Sequence, residues 1–548
     1  MAGDSADAND SISPLVGLVY IFNLIVGTGA LTMPAAFKDA GWLLSLIIVV
    51  VLAFMSYLTT TFVIEAMASA NALVHWKTLQ HYKRVVDEEE STITQAKQDD
   101  MVNELRTDDI ISKCVDEDER VPLLLSSAAE RMAESSHVNY FAITERFELG
   151  KMASLFFSKV GVNLFYICIA VYLYGDLAIY GAAISKSVRD VACQLPATAV
   201  ENSTMSNLTN GTLSNDLPCW ANYSLTRGNA YRIFLLMFLC MVGPFTFFNM
   251  QKTKYLQIFT TLMRWIAFVS MILLCALALG QGKGQGHPAM AVPTGLPNLF
   301  GVCVYSFMCH HSLPSLVTPW REKRHLFPLL AADYTLILGF YTLLSFTGIF
   351  TFPELHDMYT LDFQPYSDTG SSIIPSIPVL QYFLSLFPVF TLSTNFPIIA
   401  ITLRNNLRSL FLREESSQQG SRSRSLTSSG SSNQSNTAPP PQSCNQVLVE
   451  RFFFPLLALL PPIAVALATE SVEFLVGFTG SYAGAFIQYI IPVALVHQAR
   501  KQVLEALGLG VENQHASPFR HGAWLIFVLV WAVACVTLVT VNHIIIRA

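Results

Sequence analysis

Eleven separate stretches of this chain are apolar over about 20 residues, enough to cross a hydrocarbon core roughly 30 Å thick, and no other feature constrains the fold as much. They cover residues 14–37, 42–66, 154–184, 230–249, 255–279, 298–318, 327–351, 377–402, 452–469, 472–497 and 523–545. In lipid every backbone N–H and C=O has to be paired within the protein, so the expected fold class is an all-α integral membrane protein with eleven transmembrane helices. Composition agrees: 52% of the 548 residues are hydrophobic and 13% charged, against about 25% charged in soluble domains. That leaves too little polar surface for a soluble enzyme, a coiled coil, a disordered chain or a disulfide-rich scaffold, and makes membrane lipid the surrounding partner. A net charge of -6 without a basic block argues against nucleic acid.

Orientation follows from loop charge. Residues 1–13 form a polar tail with Asp4, Asp7 and Asp10 and no basic n-region, so the first span is expected to stay as an anchor; Ala2 excludes myristoylation. With that tail in the cytoplasm, the short loops on its side carry eleven Lys/Arg, among them Arg321, Arg404 and Arg500, against Lys38, Lys186, Arg189, Arg227 and Lys283 opposite. The asymmetry puts the C-terminus outside or in a lumen. Residues 187–229 then form a lumenal or extracellular loop, where sequons at Asn202, Asn207, Asn210 and Asn222 are open to glycosylation and Cys193 and Cys219 share oxidising space, giving an expected disulfide.

Helices 1–2 occupy 14–68, helix 3 residues 152–186, helices 4–8 residues 230–403, helices 9–10 residues 452–498 and helix 11 residues 523–548, with a cytoplasmic loop at 499–522. Between them, residues 69–151 make a cytoplasmic loop with seventeen Asp/Glu against ten Lys/Arg, and residues 404–451 a Ser-rich cytoplasmic linker with Pro439, Pro440 and Pro441. The linker composition predicts a solvated tether.

Two spans depart from ordinary apolar helices. The first contains Asn23-Leu24-Ile25-Val26-Gly27-Thr28-Gly29 and the sixth Ser306-Phe307-Met308-Cys309-His310-His311-Ser312-Leu313-Pro314, each with polar side chains and helix breakers near its middle. Unwound backbone inside a membrane is tolerated where protein covers it or where it lines a cavity. Breaks five spans apart place the second unit upside down relative to the first, the inverted-repeat pattern of secondary transporters. An offset of 285 residues pairs Val19, Tyr20, Phe22, Leu31 and Pro34 with Val304, Tyr305, Phe307, Leu316 and Pro319.

The run Asn23-Leu-Ile-Val-Gly-Thr-Gly-Ala-Leu31 resembles the N-x-I-x-G-[ST]-G-x-L signature of the amino acid/auxin permease family, especially its sodium-coupled neutral amino acid branch. Phe307-Met308-Cys309-His310 is similar to that branch's F-x-C-H, and Val476-Gly477 through Ile491-Pro492 resembles its tenth helix. The resemblance implies a LeuT-like, five-plus-five inverted repeat plus one extra C-terminal helix. It also implies that a hydroxyl in Thr391-Leu392-Ser393-Thr394-Asn395 joins Asn23 and backbone carbonyls around sodium, making Asn23, Ser393 and Thr394 the candidate ion site.

The expected substrate shell is Asn23, Gly27, Thr28 and Gly29 facing Tyr305, Ser306 and His310; His310 and His311 point about 100° apart on a helix, so at most one of them faces a cavity. Arg264 lies about 15 Å into its span, where an unpaired guanidinium costs at least ~2.5 kcal/mol. It is expected to snorkel or to pair with Asp176, and the resemblance to proton-coupled or sodium-independent relatives implies a third role, a permanent cation filling the ion site. No further Cys/His spacing supports a metal centre, and no nucleophile elbow or P-loop points to an enzyme.

The function expected is secondary transport of small neutral amino acids by alternating access around the broken first and sixth spans, with sodium or proton coupling and no other cofactor; the alternative is a transport-inactive nutrient sensor or scaffold signalling through its cytoplasmic loops. Glu119-Arg120-Val121-Pro122-Leu123-Leu124 resembles an acidic dileucine signal read by clathrin adaptors, which favours a lysosomal or late-endosomal membrane over the plasma membrane. Oligomeric state is not legible.

Overall fold

Ser13 caps the first helix by accepting the Val16 N–H at 3.4 Å, and Pro14 occupies the first helical position, so the first apolar stretch starts as an ordinary helix, α1 (Pro14–Ile25). It stops at Val26, and the chain resumes as α2 (Gly29–Ala40), bent by 57° from α1. This computed structural model describes residues 12–104, 139–193, 208–209, 212–213, 215–220, 224–247, 254–364, 373–424, 452–508 and 511–547.

The remaining helices are α3 (Trp42–Glu104), α4 (Leu149–Phe156), α5 (Lys159–Ala192), α6 (Arg227–Val242) and α7 (Lys254–Gly280). Then follow α8 (Leu296–Ser306), α9 (Leu313–Val317), α10 (Leu326–Thr351), α11 (Pro378–Arg424), α12 (Phe454–Ala468), α13 (Val472–Thr479), α14 (Ile491–Leu507) and α15 (Gly522–Arg547). Between α13 and α14 the backbone widens into π-helical turns at Gly480–Gly484 and Phe486–Ile490. Caps mark several starts: Ser158, Thr226 and Ser471 accept the N–H groups of Gly161, Asn229 and Phe474. A two-residue hairpin pairs Leu208–Thr209 with Thr212–Leu213.

The fold is all-helical apart from that hairpin among the described residues, and it holds eight helical segments long and apolar enough to span a membrane, α13 and α14 with the π-helical turns between them counting as one, or nine with the bent pair α1/α2. The other two apolar stretches form shorter pieces. The sixth unwinds over residues 307–312, leaving helices of 11 and 5 residues, and the ninth makes a helix of 15 residues. Four helices outrun their apolar windows by eight residues or more: α3 continues into the acidic segment as far as Glu104, α5 into the segment expected as a loop as far as Ala192, α11 into the Ser-rich segment as far as Arg424, and α14 as far as Leu507.

The most extensive pairings are α5 with α11 and α3 with α14. Helices α1/α2 and α8/α9 run antiparallel and are tied at both ends. On one face Ile12 N–H bonds Pro319 O at 2.9 Å and Arg321 N–H bonds Ile12 O at 3.0 Å; on the other Val292 N–H bonds Ala40 O at 2.8 Å. The breaks are thereby held side by side. The second face also carries the Cys193–Cys219 disulfide, which joins the end of α5 to the segment before α6. The sequon asparagines Asn202, Asn207, Asn210 and Asn222 and the Glu119, Leu123 and Leu124 motif lie outside the described residues.

Candidate functional site

A helix that ends inside a membrane leaves carbonyls without intrahelical partners, and they have to be satisfied from elsewhere. Here side chains of three other helices do so. Arg264 of α7 donates from Nη1 to the Asn23 carbonyl at the end of α1. The Tyr341 phenol of α10 is shared between the Ile25 carbonyl at 2.9 Å and the Ser306 carbonyl at 3.0 Å, so one hydroxyl bridges both breaks. Ser56 of α3 donates to Phe307 O at 3.0 Å. A cation at the C-terminal end of α1 is also what the helix dipole favours.

Close packing keeps the breaks together. A Cβ added to Gly29 would sit 2.2 Å from Ser306 Oγ and 2.8 Å from its Cα, so only glycine permits this approach; one added to Gly27 meets nothing nearer than Leu24 O at 3.8 Å. Phe22 stacks on Trp265 with centroids 4.6 Å apart and meets Phe340 edge-on at 5.6 Å, covering the α1 side. Thr28 meets the Tyr180 phenol of α5 through its hydroxyl.

The expected substrate shell therefore divides. Asn23, Gly27, Thr28, Gly29 and Ser306 gather at the junction, and both polar atoms of the Asn23 side chain are buried there without a partner among the described residues. Tyr305 turns to α5, where its phenol donates to Asp176. His310 is fully buried, and its Nε2 faces α3, 2.9 Å from Thr59 Oγ1 and 3.4 Å from Thr60 Oγ1. Thr60 is in turn 2.8 Å from the Tyr334 hydroxyl, which lies 3.3 Å from Cys309 Sγ; this polar cluster backs the α8/α9 break on its α3 and α10 side. His311 lies against Tyr172, ring centroids 5.6 Å apart.

Arg264 and Asp176 do not pair with each other, since the first caps Asn23 and the second accepts from Tyr305. In α11, Thr394 donates to its own Thr391 carbonyl at 2.9 Å, and neither it nor Ser393 bonds the Asn23 amide. No group of three or more His, Cys, Asp or Glu is arranged to hold a metal ion among the described residues.

A second polar assembly, on the disulfide-bearing face, has no signature in the sequence. Lys186 Nζ meets Asp357 Oδ1 at 2.6 Å, and Asp357 Oδ2 accepts the Val472 N–H at 3.0 Å, capping α13. Arg189 binds Asp190 and Glu470 at 2.7 and 2.6 Å, and Arg227 also reaches Asp190. Lys38 of α2 pairs with Glu354. His356 Nδ1 lies 2.6 Å from Asp362 Oδ1, which also accepts the His356 N–H at 3.1 Å. Burial opposes a charged His356, and the Asp362 carboxylate outweighs it, so the imidazole is held above its ordinary range; burial raises Asp362, against the pull of His356. On the opposite face Arg500 clamps Glu65 through two nitrogens at 2.7 and 2.8 Å, and the Ser517 N–H adds a third bond to that carboxylate at 3.0 Å.

Comparison with known proteins agrees with this architecture. The family described as transmembrane amino acid transporter protein matches residues 10–98 and 150–539. Transmembrane protein 104 of Homo sapiens is 49% identical over 547 residues, covering 99% of this chain and 98% of that protein. The Drosophila melanogaster homolog of transmembrane protein 104 is 45% identical, with 98% of each chain covered, and the Dictyostelium discoideum homolog 31% identical with the same coverage. The chain belongs to the transmembrane amino acid transporter protein family.

Proposed function

We propose that this protein is a secondary transporter of small neutral amino acids, working by alternating access around the breaks at α1/α2 and α8/α9. The observation that carries the reading is the single Tyr341 hydroxyl shared by the Ile25 and Ser306 carbonyls, beside the unpartnered amide of Asn23. A substrate arriving at that junction meets two sets of half-satisfied backbone groups, the arrangement in which half-helix N-termini take a carboxylate and unwound carbonyls a cation. Eleven spans, with α8/α9 and α12 as the sixth and ninth, in a five-plus-five inverted repeat plus α15, make a consistent topology. In it the N-terminus is cytoplasmic and the disulfide-bearing face lumenal or extracellular. Residues 187–229 then carry glycans at Asn202, Asn207, Asn210 and Asn222, and residues 69–151 and 404–451 are cytoplasmic.

For coupling, the guanidinium of Arg264 stands at the Asn23 carbonyl that a sodium ion would use with Ser393 and Thr394, which favours protons over sodium. Substrate uptake into proteoliposomes is the test, with tritiated alanine, serine and leucine supplied singly. Accumulation above the external concentration, driven by a pH gradient and indifferent to sodium, is expected. Binding without accumulation overturns transport in favour of a sensor, and sodium-driven accumulation overturns the assignment of the ion. The Glu119, Leu123 and Leu124 motif is taken as a clathrin-adaptor signal delivering the protein to lysosomal or late-endosomal membranes. Imaging Leu123→Ala/Leu124→Ala beside wild type checks it; identical distributions refute it.

A further inference from the structure

Asp176 lies halfway along the 34 residues of α5, is 6% exposed, and makes one hydrogen bond among the described residues, accepted from the Tyr305 phenol. No Lys, Arg or His nitrogen comes within ion-pair distance of it among the described residues. The titratable and charged groups around it are Tyr172 and Tyr180 of its own helix and Tyr305 of α8, with His311 behind Tyr172 and Arg264 beyond Tyr180. Three helices also pack tightly at this spot. A Cβ on Gly175 would meet Thr479 Oγ1 of α13 at 2.4 Å, and one on Gly480 would meet the Gly301 carbonyl at 1.9 Å and Tyr305 Cβ at 3.0 Å.

We propose that Asp176 is the group that takes up and releases the coupling proton, with Tyr305 as the positioning residue that reports its state to the α8 break. This rests on the transport reading above. An ionisable side chain halfway along a membrane-spanning helix, with no counter-ion among the described residues, marks a proton or ion path. One carboxylate and one phenol offer too few oxygens for a hard metal cation, which takes about six, whereas a proton needs one. On uptake an O–H bond forms on one Asp176 oxygen with a proton drawn from water, and on release that bond breaks and the proton returns to water across the membrane. Tyr305 keeps its own proton throughout. With Asp176 ionised, Tyr305 donates to an anion, the stronger kind of hydrogen bond; with Asp176 protonated that bond weakens. Tyr305 is the residue before Ser306, whose carbonyl Tyr341 shares with Ile25, so the change acts next to the junction.

The test has two arms on purified, reconstituted full-length protein. In the first, the protonated-carboxyl C=O band is followed by infrared spectroscopy as pH is raised. Wild type is expected to lose a band that Asp176→Asn lacks and Asp333→Asn retains; Asp333 is the nearest rival, another buried carboxyl with an unpartnered oxygen. Tyr305→Phe is expected to keep the band but move its titration midpoint. In the second arm, the ratio of tritiated alanine, serine or leucine uptake with a pH gradient to uptake without one is expected to fall to unity in Asp176→Asn and to recover in part in Asp176→Glu. A band unchanged in Asp176→Asn, one removed by Asp333→Asn instead, or a titration unmoved by Tyr305→Phe overturns the proposal. So does a wild-type gradient ratio in Asp176→Asn. If wild type takes up none of the three amino acids while the Asp176 band still titrates, the transport reading fails and the proton site stands.

Discussion

Replacing Gly29 by alanine puts a methyl group 2.2 Å from the Ser306 hydroxyl oxygen and 2.8 Å from the Ser306 backbone, closer than a methyl carbon can approach either. The hydroxyl is no flexible tip, because Ser306 Oγ is bonded to Val302 O at 2.6 Å and the Ser306 carbonyl to Tyr341. Relief therefore requires α2 and α8 to separate. Overpacking of this kind costs about 1–3 kcal/mol. Borne by the state in which the two breaks touch, that amounts to a shift of roughly 5–150-fold in its population. Gly27→Ala is the matched control, since its methyl group finds 3.8 Å of clearance. The assay is thermal inactivation of the purified protein together with tracer uptake at matched abundance. Gly29→Ala is expected to lower the inactivation temperature and Gly27→Ala to leave it unchanged. Adding Ser306→Gly to Gly29→Ala removes the serine side chain and should restore part of the loss, the clash with the backbone of residue 306 at 2.8 Å remaining. A Gly29→Ala protein as stable and as active as wild type would refute the close approach of the breaks. Uptake lost in Gly27→Ala without loss of stability would instead mark Gly27 as the place where substrate approaches backbone.

The Lys186–Asp357 pair, with side chains 7% and 12% exposed, loses one partner in Lys186→Met, and the stranded carboxylate should cost about 3–5 kcal/mol; Lys186→Met/Asp357→Leu should be closer to wild type in thermal inactivation, and an undiminished single variant would contradict the pair. His356 has its pKa raised above 6.5 by Asp362 against the opposing effect of burial, so its stabilisation is complete below about pH 6.5 and declines as pH rises through the folded value. The difference in inactivation temperature between wild type and His356→Gln should accordingly shrink on going alkaline, and a difference that grows would reverse the assignment. Opening the Cys193–Cys219 disulfide, which closes a separation of 26 residues, should cost about 3 kcal/mol, measured by comparing inactivation of wild type and Cys193→Ser/Cys219→Ser; coincident curves would show that the bond contributes nothing.

What can be read in the sequence is whatever is local along the chain. Apolar runs, the Gly27/Gly29 break and the helix-breaking Pro314 are written in consecutive residues, because hydrocarbon thickness and backbone hydrogen bonding act on consecutive residues. The Cys193–Cys219 bond is reachable for a different reason, since loop charge leaves just that pair in oxidising space. Partners that arise only when helices pack are not legible. Nothing beside Tyr341 in a hydrophobic helix announces that its hydroxyl spans two carbonyls, one 316 residues away and one 35. Lys186 and Asp357 are 171 residues apart, and each reads alone as a loop-side charge. The same limit explains His310: sequence groups it with the α1 break because both sit at helix breaks, yet the rotation of one turn decides whether a histidine meets Asn23 or Thr59, and rotation is set by what packs behind. Arg264 and Asp176 show this most plainly. Two opposite charges in one apolar bundle invite pairing on energetic grounds, but the α1 carbonyl takes the guanidinium and the α8 phenol the carboxyl, and both act on Tyr180 without meeting each other.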